Sequence, residues 1–262
     1  MIYEAFDTVA AAYDDREAGN PIMQLMRARS LDMLETTFPK GANILDVGCG
    51  TGTEALWLAE RGREVFAVDS SPLMLEAMSR RAAAAGLQIS SRLLRAGDLL
   101  SVVEDQGEGS FDGAYSSFGA LNTEPALEPA LTALSRLVRP GGRIVLSVMN
   151  RWCVAEMALL IAGGRFSQTF RRARPSLRVS VGSTFVDVRY PSWRQLRRAL
   201  QARFRVVSVH ALPLLLVPSA WLAVAPHPRL YSAACRWDAA LSSRWPFTWL
   251  GDHLLVVAER RP

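Results

Sequence analysis

The sequence predicts an α/β fold built on a doubly wound, mostly parallel seven-stranded sheet, with an inserted hairpin and a lid. Strand-like and helix-like segments alternate over the first 150 residues, as they do in parallel sheets with crossover helices. Half of the 262 residues are hydrophobic, which is enough for a large core and argues against disorder. A glycine-dense turn over residues 48–52 joins the first predicted strand to a helix.

The first half of the chain contains the regular elements. Asn20 and Pro21 are typical of a helix N-cap and first helical position, and this helix is expected to run to about Phe38. Thr53 is predicted to cap the next helix, through residue 61. Further helices are predicted from Pro72 to the glycine at 86 and over 128–138. Strands are predicted over 43–47, 64–68, 88–94, 111–116 and 143–149.

After Asn150 the pattern becomes less regular. Residues 152–161 predict a nearly all-apolar helix, and Gly182-Ser183 is a two-residue hairpin signal between strands 178–181 and 184–190. Ser192 is expected to cap a helix that runs to about residue 203. Strands 204–210 and 253–259 would complete the sheet, and the segment between them is rich in proline and tryptophan.

The glycine turn has the spacing Gly48-x-Gly50-x-Gly52, and the strand before it carries Asp46. The dinucleotide fingerprint requires a third glycine where Thr53 stands, for close packing of helix on strand. A β-branched residue hinders that packing, so NAD is disfavoured. The P-loop is excluded because no Gly-Lys-Ser/Thr follows.

The run Asp46-Val47-Gly48-Cys49-Gly50-Thr51-Gly52 resembles the first motif of class I S-adenosylmethionine-dependent methyltransferases. Four further segments resemble that family's motifs in the same order: 68–75, 96–99, 111–116 and 137–142. The segment Phe6-Asp7-x-Val9-Ala10-x-x-Tyr13-Asp14 resembles the N-terminal part of the branch that modifies quinones and natural products. The resemblance covers roughly residues 5 to 150.

This resemblance implies S-adenosyl-L-methionine as cofactor. In the family, the acid at the position of Asp69 binds ribose hydroxyls, and the acid at the position of Asp98 takes the adenine amino group. Two carboxylates at successive strand ends suit such neutral groups and would repel the phosphates of a dinucleotide. Each acid could alternatively cap a helix or turn. The implied cofactor-binding residues are Asp46, Gly48, Gly50, Gly52, Asp69, Ser70, Met74, Asp98, Leu99, Ser116 and Tyr13.

One structural domain with three parts is expected. Residues 1–42 would form N-terminal cap helices, residues 43–150 the cofactor-binding core, and residues 151–262 the insertions of the acceptor pocket and the end of the sheet.

The candidate catalytic residues are His210, His253 and Tyr13. Methyl transfer needs a general base only when the acceptor carries a proton that must leave. In the resembling family the last strand is antiparallel, which would bring both histidines to the cofactor side of the sheet. Each histidine could instead simply cap a strand end. A tyrosine at the position of Tyr13 closes over the cofactor in the resembling branch.

The aromatic second half predicts a small, largely apolar acceptor, because small-molecule pockets are mostly apolar with few polar anchors. Oxygen is the expected acceptor atom, with nitrogen and carbon left open. Methylation of a nucleobase amine is disfavoured, since residues 116–119 read Ser-Ser-Phe-Gly instead of Asn/Asp-Pro-Pro-aromatic, and no nucleic-acid partner is expected. The aromatic residues and neighbours on which this rests are Trp152, Met157, Phe166, Trp193, Trp221, Trp237, Trp245, Phe247 and Trp249.

Composition leaves three other classes to weigh: a non-catalytic S-adenosylmethionine-binding protein, an NAD-dependent oxidoreductase, and a membrane-surface protein that uses the arginines between 165 and 178. The net charge is +5, and Lys40 is the only lysine, which also fits a plain bias toward arginine. The three cysteines have neither pairing nor metal-ligand spacing, so no metal is predicted and the cytoplasm is expected. Residues 211–225 are apolar but too short to span a bilayer.

Overall fold

The computed structural model describes residues 2–219 and 228–262. Within them, a seven-stranded sheet has the order β3-β2-β1-β4-β5-β9-β8, and a separate hairpin pairs β6 with β7. The strands are β1 (Asn43–Val47), β2 (Glu64–Asp69), β3 (Ser90–Leu93), β4 (Phe111–Ser116), β5 (Val138–Met149), β6 (Leu177–Val181), β7 (Thr184–Val188), β8 (Phe204–Leu212) and β9 (His253–Arg260). The predicted doubly wound, mostly parallel sheet is confirmed.

Helices cover both faces of this sheet. One apolar layer packs α6, α7 and α9 against it, and a second packs α3, α4 and α5 on the other face together with part of α10. The helices are α1 (Ile2–Asp7), α2 (Tyr13–Ala18), α3 (Pro21–Thr37), α4 (Thr53–Glu60), α5 (Pro72–Ala84), α6 (Leu100–Gln106), α7 (Glu128–Leu137), α8 (Val154–Ala162), α9 (Trp193–Gln201) and α10 (Pro228–Leu241).

Several sequence signals act as predicted. The Asn20 side chain accepts hydrogen bonds from the backbone N–H groups of Ile22 and Met23, and Ser192 forms a capping box with Gln195. The Gly182-Ser183 turn joins β6 and β7 with Val181 opposite Thr184. Local side-chain chemistry therefore fixed these helix starts and this turn.

Other predictions about the elements are wrong. Gly52, not Thr53, is the N-cap of α4, because its backbone is left-handed (φ 78°) and Thr53 is already helical. The helix α6 was not predicted, since only seven residues form it. The helix α10 lies in the proline- and tryptophan-rich segment for which no helix was predicted, because the prolines of that segment interrupt its helical periodicity. Trp221 and residues 220–225 of the apolar stretch lie outside the described residues.

The last strand reverses direction at one end of the sheet. β9 is antiparallel to both β5 and β8, and its first residue, His253, stands opposite Met149 and Leu212. The start of β9 therefore lies at the rim where the parallel strands end, which is where open α/β sheets bind their ligands.

The N-terminal helices are held on this rim by two aspartates. Asp7, at the end of α1, accepts a hydrogen bond from the Ser71 hydroxyl at 2.5 Å. Asp14, in α2, accepts one from the Thr51 hydroxyl at 2.5 Å and pairs with Arg81 at 3.0 Å. Residues 2–18 thus cover the glycine turn through side-chain contacts.

Among the helices of the described residues, none combines the length and apolar character needed to cross a membrane.

A buried polar pair joins the two central strands. Tyr115 in β4 donates a hydrogen bond from its hydroxyl to Asp46 in β1 at 2.7 Å, and both side chains are almost fully buried. Burial raises the pKa of the Asp46 carboxyl well above its usual range, although the Tyr115 hydrogen bond opposes that shift.

We expect Tyr115→Phe to lower the free energy of unfolding by about 1–3 kcal/mol at neutral pH, because the Asp46 carboxylate loses its donor. The folded state binds a proton at Asp46 more readily than the unfolded state, so the loss should shrink as acidification protonates Asp46. Urea unfolding at neutral and at acidic pH measures this.

Tyr231→Phe is the matched control, since that hydroxyl donates to the neutral Pro21 carbonyl at 3.0 Å. Its effect should not depend on pH in this way. An equal loss at both pH values for Tyr115→Phe would contradict the assignment.

Candidate active site

A cavity of about 250 Å³ lies at the carboxyl ends of the parallel strands. Its floor is the glycine turn with the end of β2, and its walls come from the segments that follow β3 and β4. The hairpin β6–β7 and the N-terminal helices close it from above. The residues from these elements that carry the argument below are Phe6, Tyr13, Arg27, Gly48, Gly50, Glu54, Asp69, Ser70, Met74, Ala96, Phe118, Met149, Val179, Val181, Val186 and Val188.

The glycine turn has open space beside Gly50, whereas the space beside Gly52 is occupied by a neighbouring helix. Both glycines have positive φ angles, 54° and 78°. A side chain at Gly50 would meet no atom within 4 Å, whereas one at Gly52 would lie 2.2 Å from Met78 in α5. Gly50 therefore presents bare backbone to the cavity, and Gly52 allows α4 and α5 to pack closely.

Asp69 fastens this turn to the end of β2. One carboxylate oxygen accepts the Gly50 N–H at 2.8 Å, and the other accepts the Ser71 N–H at 2.9 Å. Burial raises the pKa of the Asp69 carboxyl, while these backbone hydrogen bonds lower it. The Ser70 N–H also donates to this carboxylate, which keeps acceptor capacity for one further donor, and the side chain lines the cavity next to Ser70.

Five of the predicted cofactor residues stand behind the cavity wall or beside it. Asp46 bonds to Tyr115, and Gly52 packs on Met78. Where Asp98 and Leu99 were predicted to hold adenine, the described wall is formed by residues 94–96, and the Asp98 side chain is exposed. Ser116 is buried, and its neighbour Ser117 reaches the cavity.

A charged cluster at one end of the cavity was not predicted. The Arg27 guanidinium from α3 forms ion pairs with Glu17 of α2 and Glu54 of α4. Arg27 and Glu54 both line the cavity. The one available signal was Glu54 itself, an acid in the first turn after a glycine loop; the pairing depends on contacts between distant segments.

Tyr13 lies in this cluster and hydrogen-bonds with Glu17. Burial, followed by the nearby Glu17 charge, raises the pKa of the Tyr13 hydroxyl far above its usual value. Burial also raises the pKa of Glu17, although the Arg27 charge opposes that shift. Tyr13 therefore stays a neutral phenol at the cavity wall, beside a carboxylate that accepts a proton more readily than usual.

Phe118 separates this cluster from His253. Its backbone is left-handed (φ 49°), which costs an L-residue about 1–2 kcal/mol. Its ring lies 5.0 Å from the Arg27 guanidinium and 6.4 Å from the His253 ring. The strained backbone directs an aromatic ring into the cavity between two polar groups.

The two predicted histidines lie outside the lining described for this cavity. His253 is buried behind Phe118, with Nδ1 3.3 Å from an Asp252 oxygen. His210 lines a second depression together with Arg29 and Asp32, and burial lowers its pKa. The structure therefore places Tyr13 at the cavity and His253 behind the Phe118 ring that lines it. His210 lies in a separate depression.

The hairpin gives the cavity an apolar wall. Val179 and Val181 of β6 and Val186 and Val188 of β7 line it, together with Phe6 and Met149. In the described part of the chain, these residues form the wall where tryptophans were expected. Short β-branched side chains on a paired hairpin offer a flat apolar surface.

Residues 44–142 match a family model described as a methyltransferase domain. The Ubiquinone biosynthesis O-methyltransferase of Xanthomonas axonopodis pv. citri is 32% identical over 128 residues, which are 49% of this chain and 51% of the relative. The Demethylmenaquinone methyltransferase of Thermus thermophilus is 40% identical over 122 residues, 46% of this chain and 52% of the relative. The chain spans about half the length of the curated relatives it matches.

Solved structures share the fold. The 1,6-didemethyltoxoflavin-N1-methyltransferase of Burkholderia thailandensis, with bound S-adenosylhomocysteine, matches with a TM-score of 0.58 at 19% identity, covering 100% of this chain and 88% of that one. A geranyl diphosphate methyltransferase in complex with SAM matches with a TM-score of 0.58 at 19% identity, covering 89% and 84%. At these identities the likeness concerns the fold alone.

Residues 44–142 thus match a methyltransferase domain, and the sheet order with its antiparallel last strand is the fold that this chain shares with solved S-adenosylmethionine-dependent methyltransferases.

Proposed function

We propose that this protein transfers a methyl group from S-adenosyl-L-methionine to an oxygen of a small, largely apolar acceptor. The observation that carries the proposal is the shape of the cavity at the carboxyl ends of the parallel strands. It joins the Gly50–Asp69 floor to the valine wall of the hairpin, so donor and acceptor would share one enclosed space.

The residues at the floor fit this cofactor. Gly50 offers open backbone, and Asp69, beyond its three backbone hydrogen bonds, can accept a further one from a hydroxyl such as one of ribose. Ser70 and Met74 line the same side. The other predicted cofactor residues would shape the site by fixing the turn and the strand ends around it. They are Gly48, Gly52, Asp46, Ser116, Asp98 and Leu99.

The cofactor supplies a methyl group already activated for displacement. The protein's part is then to align the acceptor and to exclude water. Val186 and Val188, both buried, would hold an apolar acceptor against Phe118 and Met149. The two named relatives are a Ubiquinone biosynthesis O-methyltransferase and a Demethylmenaquinone methyltransferase, and a quinol-like acceptor with an apolar side chain would suit this wall.

A hydroxyl acceptor must lose a proton as the new oxygen–carbon bond forms. We propose that this proton passes to the Tyr13 oxygen while the Tyr13 proton passes to Glu17, whose pKa is raised by burial. His253, behind Phe118, is an alternative base that would need the ring to move. His210 could act as a base only for a group bound in its separate depression.

The partner is proposed to be a small molecule and not nucleic acid, and the cytoplasm is the proposed compartment. We also propose a weak contact of the arginine-rich segment with a membrane surface, which would give the protein access to an acceptor dissolved in the bilayer.

Two alternatives to O-methylation are methylation at nitrogen or carbon and cofactor binding without turnover. Product analysis with a panel of acceptors would distinguish them.

Asp69→Asn should weaken S-adenosylmethionine binding about tenfold or more, because the carboxylate loses its charge and one acceptor oxygen. Isothermal titration calorimetry measures this, with NAD as the competing ligand. Asp105→Asn, an exposed acid paired with Arg92, should leave affinity unchanged. Unaltered binding by Asp69→Asn would refute the ribose assignment, and tighter binding of NAD would refute the cofactor.

Val179→Thr should raise the KM for a catechol with an apolar side chain about threefold to tenfold, because a hydroxyl replaces a methyl of equal size in the apolar wall. Affinity for S-adenosylmethionine should not change. Val207→Thr, on an exposed position of β8, is the control. If both variants keep the original KM, the valine wall is not the acceptor site.

Glu17→Gln and Tyr13→Phe should each lower kcat about 10²-fold or more with a hydroxyl acceptor, because both remove the proton path. In the unmodified protein kcat should rise with pH through the raised pKa of Glu17, and this limb should vanish in Glu17→Gln. A pH–rate profile tests this. If kcat of Glu17→Gln still rises with pH and that of His253→Gln does not, His253 and not Glu17 is the general base.

A further inference from the structure

The helix α8 has its polarity reversed relative to an ordinary surface helix. Its sequence is VAEMALLIA, and Glu156, its only charged residue, is 2% exposed. Apolar side chains face outward instead: Leu159 is 39% exposed and Ile161 is 48% exposed. Surface helices normally turn their charged residues to water. The orientation of α8 therefore requires a structural explanation, and its exposed apolar face is a candidate binding surface.

The cause is a buried ion network around Arg172. Its guanidinium pairs with Glu156 and with Asp252, at 2.6 Å from the latter, and donates to the Asn150 carbonyl at 3.0 Å. Glu156 also accepts a hydrogen bond from Arg171 at 2.6 Å. Since removing one partner of a buried ion pair is strongly destabilising, Glu156 is held inward and the opposite face of α8 is held outward.

This network is already satisfied without a metal ion. Cys153, Glu156 and Asp252 bring three ligand atoms together, but both carboxylates are engaged by Arg172. Burial raises the pKa of the Cys153 thiol to about 12, so it stays protonated. The cluster therefore acts as an anchor for α8.

Aromatic side chains extend the outward face. Trp152 contacts Phe170 edge to face at 6.5 Å, and the Asn150 side chain donates to the carbonyls of both Trp152 and Trp249. Phe166 and Phe170 are more than half exposed. We call these exposed residues the outer patch: Trp152, Leu159, Ile161, Phe166, Phe170 and Trp249.

The segment around the outer patch is strongly basic. Residues 157–186 contain five arginines and neither aspartate nor glutamate. Arg171 and Arg172 pair with Glu156, whereas the other three, Arg165, Arg174 and Arg178, are exposed. Apolar and aromatic side chains bordered by arginines are the pattern of segments that lie in the headgroup region of anionic membranes.

We propose that the outer patch docks the protein on the surface of an anionic lipid bilayer. A nine-residue helix is about 14 Å long, too short to span the hydrocarbon, so α8 would lie in the plane of the interface. This goes beyond methyl transfer and states where the reaction takes place.

The anchor of α8 also contacts the apolar wall of the cavity. Arg172, which anchors α8, stacks on the Tyr190 ring at 4.8 Å, and Tyr190 packs with Val186 and Val188. Both valines line the cavity, so the helix that carries the outer patch is linked to that wall through buried side chains.

Flotation with lipid vesicles tests the proposal. The full-length protein, loaded with S-adenosylmethionine, is mixed with vesicles of phosphatidylcholine alone or with phosphatidylglycerol added. We expect binding to the anionic vesicles that falls as salt rises, and little binding to the neutral ones. The double variant Leu159→Glu, Ile161→Glu should bind the anionic vesicles at least about tenfold more weakly.

The matched control is Leu93→Glu with Val207→Glu, which adds two charges at exposed residues of β3 and β8. It should bind vesicles like the unmodified protein, and calorimetry should give all three proteins the same cofactor affinity. Absence of vesicle binding, or equal loss in both double variants, would overturn the proposal. So would a dimer in light scattering that only the α8 variant disrupts, since a second copy would then cover the patch.

Discussion

The site depends on how one carboxylate fixes a turn made of glycines. A turn with glycines of positive φ at every second position has little conformational preference of its own, so contacts from outside the turn must hold it. Asp69 does this by accepting the Gly50 N–H on one oxygen and the Ser71 N–H on the other. The turn after β1 and the start of α5 are thereby fixed to the end of β2, and the cavity floor takes its shape from that arrangement.

The sequence predicted the position of this turn and of Asp69, although not the hydrogen bonds between them, because every element in it is local. Asp46, the glycine spacing and Asp69 fall within 24 residues, and each marks a strand end or a turn whose backbone requirements are known. The Arg27 cluster could not be predicted in the same way. Glu17, Arg27 and Glu54 come from three helices, and only the packing of those helices brings their charges together.

The second half shows the opposite limit of sequence patterns. An apolar helix and many tryptophans predicted a pocket, yet the described cavity wall consists of valines from a hairpin, while Phe166, Trp237 and Trp245 are largely exposed. A hydrophobic pattern gives the apolar face of an element but not what that face contacts. In α8 the orientation follows from the partner of Glu156, and that partner, Arg172, is sixteen residues further along the chain.

The cap over the glycine turn has a consequence for ligand exchange. Asp7 and Asp14 hold the cap through contacts that are partly open to solvent and worth about 1 kcal/mol or less each, while Glu17 pairs with Arg27 and Val9 and Ala10 pack on Met74. A ligand bound beneath residues 5–18 would be enclosed by these contacts. Its entry and release would require them to break, so the strength of the cap would contribute to the rate at which a ligand exchanges.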